Sequence, residues 1–102
     1  MFTEEMFAKR VMELRERRGV SQRDMSLSIG QGATYINHIE NRVAFPSMAC
    51  FFYMCDYLKV EPKEFFDLDN TNPERLRTII DSIKNMSDEK LIALQNIIEQ
   101  MK

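Results

Sequence analysis

Between Ser21 and Arg42 the chain runs SQRDMSLSIGQGATYINHIENR, a stretch that reads as two short helices around a glycine corner. Ser21 followed by Asp24 three residues on resembles a capping box, with Asp in place of the longer Glu, so a helix is expected to start there. Met25 and Ile29 give that helix its apolar side. Ser26, between them, is small where a following helix has to approach closely. Gly30 supplies the left-handed backbone conformation that ends a helix without a Cβ clash. Past Gln31 and Gly32, Ile36 and Ile39 anchor a second helix and leave Thr34, Tyr35, Asn37, His38 and Arg42 off the apolar stripe. These side chains are polar, mostly short, and hydrogen-bonding. A helix that carries them fits the major groove of B-DNA, where base edges present donors and acceptors for direct reading.

Start and stop signals outline the remaining elements. Pro46-Ser47 opens a further helix with Ser47 as its N-cap, along which Met48, Phe51, Phe52, Cys55 and Leu58 recur at helical spacing as core residues. Pro62 begins a short helix whose Phe65 and Phe66 are expected to close the bottom of the domain. At DLDNTN the composition turns polar and turn-forming, which sets the expected division into a domain of residues 1–67 and a tail of residues 68–102. In the tail, Asn72-Pro73 starts one amphipathic helix with Leu76, Ile79, Ile80 and Ile83 on its stripe. Ser87-Asp88-Glu89 caps another, which carries Leu91, Ile92, Leu94, Ile97, Ile98 and Met101. The fold class is therefore all-α, five helices followed by a two-helix hairpin. Two helices cannot bury such wide apolar faces alone. The hairpin either packs on its own domain or, as the expected dimerisation element, meets a second copy through Leu76, Ile79, Ile80, Ile83, Leu91, Leu94 and Ile98.

The order of these signals resembles the XRE-type, or lambda-repressor-like, helix-turn-helix family over residues 1–67. The residues that carry the resemblance are Arg10-Val11 to Arg15, Gly19-Val20-Ser21-Gln22, Gly30, Tyr35-Ile36 to Ile39-Glu40-Asn41, Pro46-Ser47, and Leu58-Lys59-Val60 before Phe65-Phe66. The resemblance implies a sequence-specific transcriptional regulator, a repressor by default, that binds double-stranded DNA as a homodimer on a palindromic operator. It implies that Gln22 and Asn41 hold phosphates, that Ala33, Thr34 and His38 face bases, and that Arg15 and Glu40 form a partly buried ion pair. With the polar face read above, the expected DNA-binding set is Gln22, Arg23, Gln31, Ala33, Thr34, Tyr35, Asn37, His38, Asn41 and Arg42. One departure stands out: the family usually places Gly where Arg42 stands, so either Asn41 takes the left-handed conformation or the helix ends differently.

Charge and composition bound the alternatives. Residues 1–67 hold nine Lys or Arg against ten Asp or Glu, a net charge of −1, whereas DNA-binding domains are more often basic. The basic residues nevertheless cluster, with Lys9, Arg10, Arg15, Arg17, Arg18 and Arg23 in the first helix or at the start of the second. Interleaved Glu13 and Glu16 also suit helix-stabilising pairs on a solvated face, so few phosphate contacts are expected. Cys50 and Cys55 read as small buried hydrophobes, and one His with no CxxC pair makes a metal site unexpected. Neither a cofactor nor an enzymatic activity is expected, since the chain has no Ser-His-Asp pattern, phosphate-binding glycine loop or convergent carboxylates. The start, MFTEEMFAKR, is acidic and lacks a long apolar run, so no secretory signal or membrane span is expected and the cytoplasm is the default location. The alternative function is a helix-turn-helix-fold module that has lost DNA affinity and binds a protein partner through the C-terminal hairpin.

Overall fold

The computed structural model describes residues 1–102 and contains seven α-helices and no strand. Two compact units divide the chain, Met1–Thr71 and Asn72–Lys102.

In the first unit, α1 (Glu4–Arg18) is capped by Thr3, whose hydroxyl accepts from the Met6 N–H at 3.2 Å, and stops at Gly19 with φ 70°. Its charges follow the helix dipole, with Glu4 and Glu5 in the first turn and Arg15, Arg17 and Arg18 in the last. The next helix, α2 (Gln22–Ser28), starts where Ser21 Oγ accepts from the Asp24 N–H at 2.9 Å. Asp24 does not complete a capping box. Its carboxylate instead accepts from the Tyr57 hydroxyl, tying α2 to the helix that contains Tyr57. Gly30 turns the chain at φ 82°.

The following helix, α3 (Tyr35–Glu40), is shorter than the span 33–41 read from the sequence, and Ala33 and Thr34 form the turn before it. Thr34 makes no side-chain cap bond. The α2 residue Ser26, fully buried, supplies one: its Oγ accepts from the Ile36 N–H at 2.9 Å and donates to the Gln22 carbonyl at 2.6 Å. Beyond α3, α4 (Met48–Leu58) begins with Ser47 Oγ accepting from the Cys50 N–H at 3.1 Å and ends on left-handed Lys59. The short α5 (Pro62–Phe65) is fixed by a bond from the Glu61 N–H to Glu64 Oε1 at 2.7 Å.

The core collects Phe7, Val11 and Leu14 of α1, Met25 of α2, Ile36 and Ile39 of α3, and Phe65 of α5. From α4 it takes Phe51, Met54, Cys55 and Leu58. That face differs from the one expected, since Met48 (64% exposed) and Phe52 (46%) point outward. With Phe51 facing inward, the helical repeat brings positions 54, 55 and 58 in behind it and rotates Phe52 about 100° away, while Met48 lies on the open first turn. Phe66 is also 47% exposed; Phe65 alone of that pair closes the core.

Arg10 corrects the expected basic surface. It is 1% exposed, and its Nε donates to the Phe65 carbonyl at 2.7 Å while Nη2 reaches those of Glu64 (2.7 Å), Asp67 (3.0 Å) and Asn70 (3.0 Å). These are the C-terminal carbonyls of α5 and the turn after it, groups that a helix leaves without partners. Burial lowers the pKa of Arg10, and Glu13 and Asp67 oppose the shift. Because Arg10 holds the backbone through Asn70, the first unit runs to Thr71, beyond the boundary at Asp67 read from composition.

In the second unit, α6 (Pro73–Ile83) starts where Asn72 Oδ1 accepts from the Arg75 N–H at 3.3 Å, with Pro73 in the first turn. In α7 (Asp88–Met101) the cap is Ser87 Oγ, which accepts from the Lys90 N–H at 3.3 Å. Ile83, Leu91 and Leu94 are partly buried. Leu76, Ile79, Ile80, Ile92, Ile97, Ile98 and Met101 remain 40–79% exposed. No helix in the structure is long and apolar enough to cross a membrane.

Candidate nucleic-acid interface

Ile36 and Ile39 are at most 1% exposed, so they fix α3 from behind and determine which positions face outward. Thr34 and His38 are exposed, and Asn37 between them is partly buried. Arg23 at the start of α2 and Asn41 and Arg42 just after α3 are also exposed. The left-handed position at the end of the helix falls on Arg42 (φ 62°), not on Asn41 (φ −91°). The backbone reverses there, and the His38 carbonyl accepts from both Val43 N–H (2.8 Å) and Ala44 N–H (3.2 Å). Arg42 Nη1 lies 3.7 Å from Glu5 Oε2 in a solvent-exposed pair.

Two of the sequence-derived candidates turn inward. Gln31 Nε2 donates to Cys50 Sγ at 3.2 Å. Tyr35 packs against the core, and burial pushes its pKa up to about 12, with the Cys50 contact adding to the shift. Ala33 is partly buried and offers only a methyl group.

Polar side chains form a continuous relay across α1, α2 and α3. Arg15 grips Glu40 with two bonds, Nε to Oε2 at 2.7 Å and Nη2 to Oε1 at 3.0 Å, and its Nη1 donates to the Val20 carbonyl at 2.9 Å. The pair is largely shielded, with side-chain exposures of 12% and 1%. The bond to Glu40 raises the Arg15 pKa against the opposing effect of burial. Gln22 Nε2 donates to Glu40 Oε1 at 3.0 Å, Asn37 Nδ2 to Gln22 Oε1 at 3.1 Å, and Asn41 Nδ2 to Asn37 Oδ1 at 3.1 Å. Gln22, Asn37 and Asn41 thus bond to one another and keep part of their hydrogen-bonding capacity for an outside group. Comparison with protein-family models, curated proteins and solved structures returned no match to the chain.

Sequence reasoning missed the Ser26 to Ile36 bond and the contact of Gln31 with Cys50. Each spans ten or more residues between elements whose relative placement no local pattern reports. Part of the relay had a local signal, because Asn37 and Asn41 stand four apart on a helical path and can meet. The involvement of Gln22 had none. On the electrostatic side, Arg10 and Arg15 are committed to internal partners, which leaves Lys9, Arg17, Arg18 and Arg23 as the exposed members of the expected basic cluster.

Proposed function

We propose that the first unit binds double-stranded DNA in a sequence-specific manner as a helix-turn-helix transcriptional regulator of the lambda-repressor-like kind, acting as a repressor. The observation that carries this reading is the exposure of Thr34 and His38, with partly buried Asn37 between them, on a segment that Ile36 and Ile39 anchor from inside. A short helix held off the core in this way can enter the major groove, and Gln22, Arg23, Asn41 and Arg42, at the start of α2 and just after α3, would then hold the flanking phosphates. The exposed apolar residues of α6 and α7 support assembly as a homodimer, which would place two recognition helices on successive major grooves of a palindromic site about 34 Å apart.

Selection of bound sequences from random duplex DNA tests the proposal. The expected result is enrichment of a palindrome with two half-sites one helical turn apart. Affinity is expected to fall gently with salt, since each neutralised phosphate contributes about 0.9 to the slope of log affinity against log salt and few phosphate contacts are expected of a net acidic chain. A second reading, a protein-binding module on the same fold, is favoured by the exposure of Val43 (73%) and Phe45 (61%) and by the net acidity of the chain. Absence of any enriched sequence would select that reading.

A further inference from the structure

The relay that starts at Glu40 has only one possible direction. A carboxylate accepts and does not donate, so the Gln22 carboxamide must turn its nitrogen toward Glu40 and its oxygen toward Asn37. Asn37 must then turn its nitrogen toward Gln22, which leaves its oxygen to accept from Asn41. Hydrogen-bond chemistry therefore assigns both amide orientations. Burial falls along the same direction, from Glu40 with its side chain 1% exposed, through partly buried Gln22 and Asn37, to exposed Asn41.

Asn37 is consequently held from both sides. One of its two N–H groups is used on Gln22 and one lone pair of Oδ1 is used on Asn41, so the carboxamide cannot rotate without losing both bonds. One N–H and one lone pair remain. In the major groove adenine presents an acceptor, N7, beside a donor, the N6 amino group, whereas guanine presents two acceptors, N7 and O6. A bidentate contact to guanine would require both Asn37 N–H groups, and Gln22 occupies one. We infer that Asn37 reads an adenine and that Gln22 and Asn41 are positioning residues that fix its carboxamide for that base.

This inference rests on the DNA-binding reading above, and the two can fail separately. Bound sequences are selected from random duplex DNA with the wild-type chain and with Asn37→Ala, Gln22→Ala and Gln22→Met, the last of which keeps the side-chain volume without the hydrogen bonds. The wild type is expected to require an A·T pair at one position of each half-site, by about tenfold or more. At that same position the preference should collapse in all three variants while the other positions keep theirs. Thermal melts of the free variants check that the fold is retained. A purely structural role for the relay predicts lower melting temperatures with an unchanged base preference, and that outcome would overturn the inference. So would a wild-type site in which the Asn37-dependent position is G·C. Failure of the wild type to enrich any sequence would remove the DNA-binding reading itself, and this inference with it.

Discussion

The hydroxyl of Ser26 on α2 accepts a hydrogen bond from the backbone N–H of Ile36 on α3 at 2.9 Å, and both residues are fully buried. One side chain thereby caps a helix to which it does not belong. The bond also fixes the distance between the two helices, because the same hydroxyl donates to the Gln22 carbonyl of its own helix. Thr34, the residue at the usual capping position, makes no such bond and stays exposed.

Replacing Ser26 by Ala is expected to leave the Ile36 N–H without a partner in the core. Such a loss costs about 1–3 kcal/mol. Urea unfolding should show it as a lower midpoint at unchanged slope. Replacing Ser21 by Ala removes an exposed cap on α2 and should cost less, about 1 kcal/mol. Equal losses in the two variants would contradict the role assigned to Ser26.

Arg42 sits at φ 62°, where a Cβ is strained by roughly 1–2 kcal/mol. Its pairing with Glu5, at 3.7 Å and with both side chains more than half exposed, offsets little of this. Arg42→Gly relieves the strain but raises the conformational entropy of the unfolded chain, so a net stabilisation of about 0.5–1 kcal/mol is expected. A thermal melt of the variant measures it, and a lower melting temperature would show that Arg42 makes a stabilising contact beyond the Glu5 pair.

Alkaline pH is expected to destabilise the first unit. Burial pushes the Cys55 thiol up to about 12 from an ordinary 9.0, with the charges of Asp56 and Glu61 adding to the effect. Above pH 9 the unfolded chain loses this proton while the folded chain keeps it, so stability decreases as pH rises through that window. Tyr35 acts in the same sense between 10.0 and about 12. Denaturant titrations from pH 7 upward should show full stability below 9 and a decline beyond it. Cys55→Ala should delay the onset toward the range of Tyr35.

The tail should hold the chain together as a homodimer. Ile80 (47% exposed) and Ile98 (48% exposed) lie on the apolar faces that a second copy would cover. Ile80→Asp with Ile98→Asp is expected to give a monomer in sedimentation at micromolar concentration. The helical content of the first unit should be preserved. A wild-type chain that sediments as a monomer at that concentration would refute dimerisation, and one that dimerises with or without the substitutions would move the contact elsewhere.

Local chemistry made much of the fold legible. Caps are read from a few adjacent residues, and Ser21, Ser47, Asn72 and Ser87 each start the helix that their hydroxyl or carboxamide suggests. Gly30 turns the chain with a positive φ for the same local reason. Ile36 and Ile39 marked the buried side of α3, and therefore the exposure of Thr34 and His38.

What the sequence determined by itself was much of what depends on neighbours within about one helical turn: seven helices, the capped starts at Ser21, Ser47, Asn72 and Ser87, and the apolar faces of the tail. Only the tertiary structure decided the partners of polar groups far apart in the chain. Arg10 read as a surface cation until the fold placed four carbonyls around its guanidinium, and the bonds of Gln22 to Glu40 and Asn37 had no signal in the sequence. The physical reason is that a buried polar atom must find a hydrogen-bond partner wherever packing brings one, and periodicity carries no information about that place.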